Sequence, residues 1–294
     1  MTLKKLHLLA YKYPFLRIPL CPMIATRRYF KNNKLKYELK ICENASQMLA
    51  EDPVFYVREF QGKFVVGRNS DLFKTLLIAR EYEASLAELV LRYLDCNRDA
   101  IDVGANIGFY TILLAKNVNN KKVLAVEPAK KAFERLEKNL KLNQVEHKVI
   151  LFEGAVSNNS GVLNLKTVNG REEYSTLGKL NHPAVRDKRY QVQEVNVTTI
   201  DSLVKKYSLD PGFIKIDVEG MEHFVLDGSS EILETAKPII LMELFDPLLK
   251  QNGSSARELI DFIKSYKYKI LDAEMPEISP LLKPFTNVIC LPEG

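Results

Sequence analysis

The sequence predicts an α/β fold with a mostly parallel central sheet covered by helices on both faces, preceded by a basic N-terminal extension and a small hairpin. Three observations carry this. Short, nearly continuous apolar runs recur between residues 100 and 245, as in strands buried on both faces. Amphipathic helical patterns separate them, the alternation that builds parallel sheets. The first run, "IDVGANIGFYT" at 101–111, passes through glycines straight into a helical pattern.

Taken in order, "VFYVREFQGKFVV" at 54–66 holds two β-rich runs around Gln-Gly and reads as the hairpin. "EYEASLAELVLRYL" at 81–94 places Leu86, Leu89, Val90, Tyr93 and Leu94 at helical spacing. A strand at 100–104 precedes a helix from about Gly108. "KVLAVEP" is a second strand, and the helix at 129–143 carries Phe133, Leu136 and Leu140 on one face. "KVILFEGAVS" is the third strand and "GFIKIDVEG" the fourth, followed by a helix through 223–234. "PIILMELF" is the fifth strand, 256–266 a helix, and "YKILDAE" and "NVICLP" the closing strands. Inside this alternation "GVLNLKTV" and "YQVQEVNV" read as antiparallel strands. The polar stretch between them, 169–189, is too long for a hairpin loop and is expected on the substrate side. Domains are therefore expected at 1–75, extension and hairpin, and 76–294, the α/β body.

The 294 residues, 46% hydrophobic and 27% charged, are enough for a large core and exclude a disordered chain. Charge is uneven. Residues 1–40 carry ten Lys or Arg against one acid, Glu38, leaving the rest of the chain slightly acidic. Such an arm suits peripheral contact with an anionic membrane or nucleic acid, or a solubilising role. Cys21, Cys42, Cys96 and Cys290 show no metal-ligand spacing, which predicts a reducing, cytoplasmic setting. No apolar run reaches the ~18 residues of a transmembrane helix, and the interrupted N-terminal stretch is a poor signal peptide.

Asp102, Gly104, Asn106 and Gly108 sit where an α/β sheet binds ligands. About twenty residues on, Glu127 ends a strand, a place for an acid that takes ribose hydroxyls. Together these mean a nucleoside-containing cofactor. A dinucleotide would want small residues at 104, 106 and 109, yet Asn106 and Phe109 stand there. Asp102 would repel a pyrophosphate and attract an ammonium. The turn therefore favours S-adenosyl-L-methionine over NAD.

The motifs "IDVGANIGFYT", "VEP", "GAVS", "VTTIDSL", "IKIDVEGMEHFVLDG" and "NVICLP" resemble, in order and spacing, those of FkbM-type methyltransferases, over about residues 80–292. "EYE" at 81–83 resembles that family's acid-bearing lead-in helix, which adds Glu83 to the cofactor side. The resemblance implies a class I Rossmann-like methyltransferase fold and O-methylation of a hydroxyl on a sugar, glycan or related metabolite. By position it implies Asp102 facing the methionine ammonium, Gly104 and Asn106 lining the methionyl and ribose path, Glu127 on the ribose and Ala155 by the adenine. Plain core packing competes for Ala155. A nitrogen or nucleic-acid acceptor is the alternative, and a cofactor-binding protein without turnover another.

Lys215, Asp217 and Glu219 alternate as the fourth strand ends and share one face if strand geometry persists. A hydroxyl acceptor needs a base worth ~10²–10⁴-fold. Asp217 is the first candidate and Glu219 the second, with Glu243 orienting substrate or carboxylates. A divalent metal held by Asp217, Glu243 and Asp246 competes with this but is not predicted, as does a purely structural ion-pair network. His182 and His223 are weaker candidates, and Arg171, Tyr174, Ser175 and Thr176 suit a polyol.

Overall fold

The computed structural model describes residues 37–180, 182–185 and 187–293. The chain divides into two compact units, 1–50 and 51–294. In the first, a helix (α1) spans 37–48. The surface contact expected of residues 1–40 lies almost wholly outside the described residues. Among those described, no helix is long and apolar enough to cross a membrane.

The second unit opens on the hairpin of β1 (Val54–Val57) and β2 (Gly62–Val65), paired antiparallel. Its turn takes four residues, 58–61, with Gln61 left-handed at φ 53°, instead of the expected Gln-Gly pair. The domain boundary expected after residue 75 is corrected to Ala50, because the hairpin belongs to the body. Buried Asn139 is the reason. Its Oδ1 accepts from the Val65 amide at 2.7 Å and its Nδ2 donates to the Ile107 carbonyl at 2.8 Å, tying β2 to the glycine turn. A helix not expected from sequence, α2 (Asp71–Ala79), follows, capped by Ser70 and burying Leu72, Phe73 and Leu76. α3 (Ala84–Tyr93) begins three residues later than predicted, since Glu83 takes φ 44° and stands outside the helix.

The sheet then starts from its middle. β3 (Asp99–Val103) is buried along its whole length and leads through α4 (Phe109–Asn117) to β4 (Val123–Glu127). α5 (Lys130–Leu142) buries Ala132, Phe133, Leu136, Asn139 and Leu140, a helical stripe facing the core, and leads to β5 (Val149–Glu153). The predicted third strand breaks at Gly154. Its end, β6 (Ala155–Val156), leaves the main sheet and pairs with β8 (Gln191–Thr198), which also pairs antiparallel with β7 (Gly161–Thr167), as its alternation predicts.

After α6 (Ile200–Tyr207), capped by Thr199, the chain returns to the other side of β3 as β9 (Pro211–Ile216). The predicted helix at 223–234 is two pieces, α7 (Glu222–Asp227) and α8 (Ser230–Glu234). Gly228 separates them, pressed so near Ser157 that a Cβ would stand 2.1 Å from its carbonyl oxygen. β10 (Ile239–Phe245), α9 (Asp246–Gln251), α10 (Ala256–Ser265), β11 (Tyr268–Asp272) and β12 (Phe285–Pro292) complete the body. The seven-stranded order is β11-β12-β10-β9-β3-β4-β5, parallel except that β12 runs antiparallel between β10 and β11. Strand order reverses between β3 and β9. The carboxyl ends there part and open a crevice.

Candidate active site

A cleft of about 860 Å³, counting its open mouth, lies over the ends of β3, β4 and β9. The glycine turn shapes its floor. Gly104 has φ 77°, and a Cβ there would stand 1.9 Å from the Asp217 carbonyl oxygen, so no other residue fits. Asn106, left-handed at φ 49°, turns its amide onto Glu127 Oε2 at 2.7 Å, while the Ala129 amide donates to Oε1 at 2.8 Å. α5 has no capping side chain of its own residues at Ala129, and Glu127 serves its first turn instead. Burial pushes the Glu127 carboxyl up to about 7, against the pull of these two amides. Ala155 joins Val126, Val156 and Leu165 in an apolar wall.

Two residues expected on the cofactor side do not line the cleft. Gly108 is off the cleft wall. It starts α4 at φ 95°, where a Cβ would stand 2.6 Å from Leu136 Cδ1, so its smallness lets α4 pack on α5. Asp102 is fully buried beneath the turn and does not line the cleft. Its Oδ2 accepts from the Thr111 hydroxyl, Oδ1 has no hydrogen-bond partner among the described residues, and Lys215 Nζ lies 3.9 Å away. Burial raises its pKa, with Lys215 and Thr111 opposing.

Lys215 anchors the second half. Its ammonium lies 3.2 Å from Asp217 Oδ2, 3.4 Å from the Gly104 carbonyl oxygen and 5.0 Å from the Tyr110 ring centre. Burial would lower its pKa, but the carboxylates of Asp217, Asp102 and Glu83 outweigh that and hold it above the ordinary lysine range. Removing it would leave buried carboxylates uncompensated, at about 3–5 kcal/mol. Glu83 lines the cleft with Oε2 accepting from Tyr110 Oη at 2.6 Å, and burial raises its pKa.

Strand geometry ends at Ile216, so Lys215, Asp217 and Glu219 do not simply share one face. Asp217 is half-buried and borders both the main cleft and an adjoining inner cavity of about 340 Å³. Glu219, at φ 55°, lines the main cleft and a small side cleft. Glu243 lines the inner cavity with Asn287 and Phe285. Burial, then Asp217 and other nearby carboxylates, pushes both Glu219 and Glu243 well above the usual range. Both effects disfavour the charged form of these groups.

The 169–189 segment does border the cleft, through Glu172, Glu173 and residues 175–177. Arg171 and Tyr174 are occupied by Asp71, whose amide in turn donates to Glu173, so α2 fastens the segment. His182 stacks on Tyr174 at 4.4 Å and lines the side cleft; His223 stacks on Phe224 outside these clefts. Asp246 turns to Lys250 and the start of α10, away from Asp217 and Glu243. Among the described residues no group of three or more His, Cys, Asp or Glu is arranged to hold a metal.

Sequence reasoning missed Tyr82 and Tyr110, which wall the cleft, and Glu222, whose Oε1 accepts from the Val218 and Gly220 amides and pins the turn carrying Glu219. Tyr82 lay between the two acids of "EYE", where only the charges drew attention. Asn287 stood in "NVICLP", read only as a strand.

The methyltransferase FkbM domain profile matches residues 102–270. Methyltransferase sdnD of Sordaria araneosa is 26% identical over 193 residues, covering 54% of this chain and 74% of that protein. The hexuronic acid methyltransferase AglP of Haloferax volcanii is 28% identical over 145 residues, covering 48% of this chain and only 53%, about half, of its own length. The crystal structure of methyltransferase FkbM from Methylobacillus flagellatus KT superposes with a TM-score of 0.47 at 15% identity, over 88% of this chain and 60% of that one.

Proposed function

Because this chain belongs to the methyltransferase FkbM domain family, with its Rossmann-like fold, we propose that it transfers a methyl group from S-adenosyl-L-methionine to a hydroxyl oxygen of a sugar or related metabolite. The observation that carries the cofactor reading is Glu127: a carboxylate at a strand end, fixed from behind by two amides and open to the cleft. Each oxygen retains acceptor capacity, so the pair suits two adjacent ribose hydroxyls. Gly104 and Asn106 give the methionyl and ribose path its backbone floor, and the wall at Ala155 suits a purine face. Glu83 suits the ammonium, with Asp102 adding negative potential from below. Bound there, S-adenosyl-L-methionine supplies an electrophilic methyl group.

The remaining work falls to this chain's residues: holding the acceptor in line and taking its proton. Asp217 is the base in this reading. Lys215 occupies its Oδ2, while Oδ1 has no hydrogen-bond partner among the described residues and stands where the main cleft meets the inner cavity. Glu219 and Glu243, lining the clefts on either side of Asp217, hydrogen-bond the acceptor's other hydroxyls. A relative named for hexuronic acid supports a sugar ring as acceptor class; the charge tolerated on that ring is set separately by the walls of the inner cavity. The scattered cysteines of the sequence, with no metal-ligand spacing, support the cytoplasmic setting.

Calorimetric titration tests the cofactor. S-adenosylhomocysteine is expected to bind saturably, NAD⁺ not to bind, and Glu127→Ala to weaken the former by about tenfold or more, the scale of lost charge-assisted hydrogen bonds. Preference for NAD⁺ would overturn the reading.

A further inference from the structure

The inner cavity has chemistry of its own. β10 and β12 are antiparallel neighbours with Glu243 directly opposite Asn287, so both side chains stand on one face, and both line the cavity. The Asn287 amide has no hydrogen-bond partner among the described residues, nor has the largely buried Glu243 carboxyl. The amide offers two donors and an acceptor, and the carboxyl offers acceptors and, when protonated, a donor. Phe285, Leu241 and Met242 supply apolar wall beside them.

Charge narrows the occupant further. The cation of this cavity, Lys215, is already engaged by Asp217 at 3.2 Å and Asp102 at 3.9 Å. An acceptor carboxylate or phosphate would meet Glu83, Asp217 and Glu243 with no free positive partner on these walls. The same surroundings raise the pKa of the cavity's own Glu243 and Glu83, so they penalise any further anion. Lys179, exposed at the rim of the side cleft, lines a different opening.

We propose that the acceptor is an uncharged polyol, a neutral sugar ring or cyclitol, whose adjacent hydroxyls are read by Glu243 and Asn287 in the inner cavity, and that sugar acids and sugar phosphates are excluded there. This rests on the methyl-transfer reading above and names the substrate class for that site. Asn287 is a specificity-determining residue in this proposal, placed on β12, three strands from β3.

The test is saturation-transfer NMR on the full chain loaded with S-adenosylhomocysteine. The neutral probes are methyl glucoside, methyl galactoside, methyl rhamnoside and myo-inositol; the charged probes are glucuronate, galacturonate and glucose 6-phosphate. At least one neutral probe should bind, with its charged counterparts about tenfold weaker or more. Asn287→Ala should weaken the neutral probe about tenfold while leaving S-adenosylhomocysteine affinity intact, which also reports folding. Equal or tighter binding of the charged probes, binding of none, or an indifferent Asn287→Ala would each overturn the proposal. Failure to bind S-adenosylhomocysteine would instead sink the cofactor reading.

Discussion

The ends of β3 and β4 and the ends of β9 and β10 both present buried acids to one crevice, yet they hold them by opposite means. On the first side Glu127 accepts two backbone amides at 2.7 and 2.8 Å, so main chain fixes its position. On the second, Glu219 and Glu243 are half-buried without such support; among the described residues Glu219 Oε2 has no partner, and both are pushed well above the ordinary range. A satisfied carboxylate recognises one constant ligand. In the reading proposed above, an unsatisfied one is left open to whatever hydroxyls arrive. The difference separates a half built for recognition from a half built for reaction.

The contrast breaks most sharply at Asp217. If the reactive half holds the base, Asp217→Asn lowers kcat by about 10²–10⁴-fold and moves S-adenosylhomocysteine affinity by no more than about threefold. A kcat within a few-fold of the parent would move the base elsewhere. Next in size is the joint between the halves. Gly104→Ala forces a Cβ to within 1.9 Å of the Asp217 carbonyl oxygen. It should cost about 2–4 kcal/mol of stability, read by thermal melting, together with cofactor affinity. An unchanged melt would mean that the two strand ends yield freely.

The smallest effect sharpens the recognition half. Free Glu127 sits at about 7, and ribose hydroxyls would donate to its charged form. Binding then expels a proton, so S-adenosylhomocysteine affinity should weaken as pH falls below about 7, by up to about tenfold per unit. Calorimetry in buffers of different ionisation heat measures that proton directly. No proton release near neutrality would show that Glu127 is not the ribose contact.

Much of the fold was legible because its signals are local. Runs such as "KVLAVEP" are continuous where both sheet faces are covered, and β3, β4, β9 and β10 fall where expected. The glycine turn was legible for the same reason, since a left-handed Gly104 and the acid of Glu127 are demanded by backbone geometry. What escaped depends on contacts distant in sequence. The hairpin joins the body through Asn139, 74 residues from Val65. β6 leaves the sheet at Gly154 because a partner, β8, waits in another sheet. Asp102 reads as a ligand-facing acid, yet it is turned inward by Thr111, which one helical turn into α4 supplies. Asn287 becomes part of a site only once β12 is laid antiparallel beside β10.

The contact between Gly104 and the Asp217 carbonyl has a consequence for how such a protein changes over time. With Asp217 N also donating to the Val103 carbonyl at 3.1 Å, the two strand ends are effectively soldered. Drift in sequence that altered the spacing of donor and base would be eliminated at the level of folding. Variation is left to the cover: the 169–189 segment, and the pair of residues facing each other across β10 and β12. A lineage built on this joint diversifies by changing what it methylates while keeping how far the methyl group must travel.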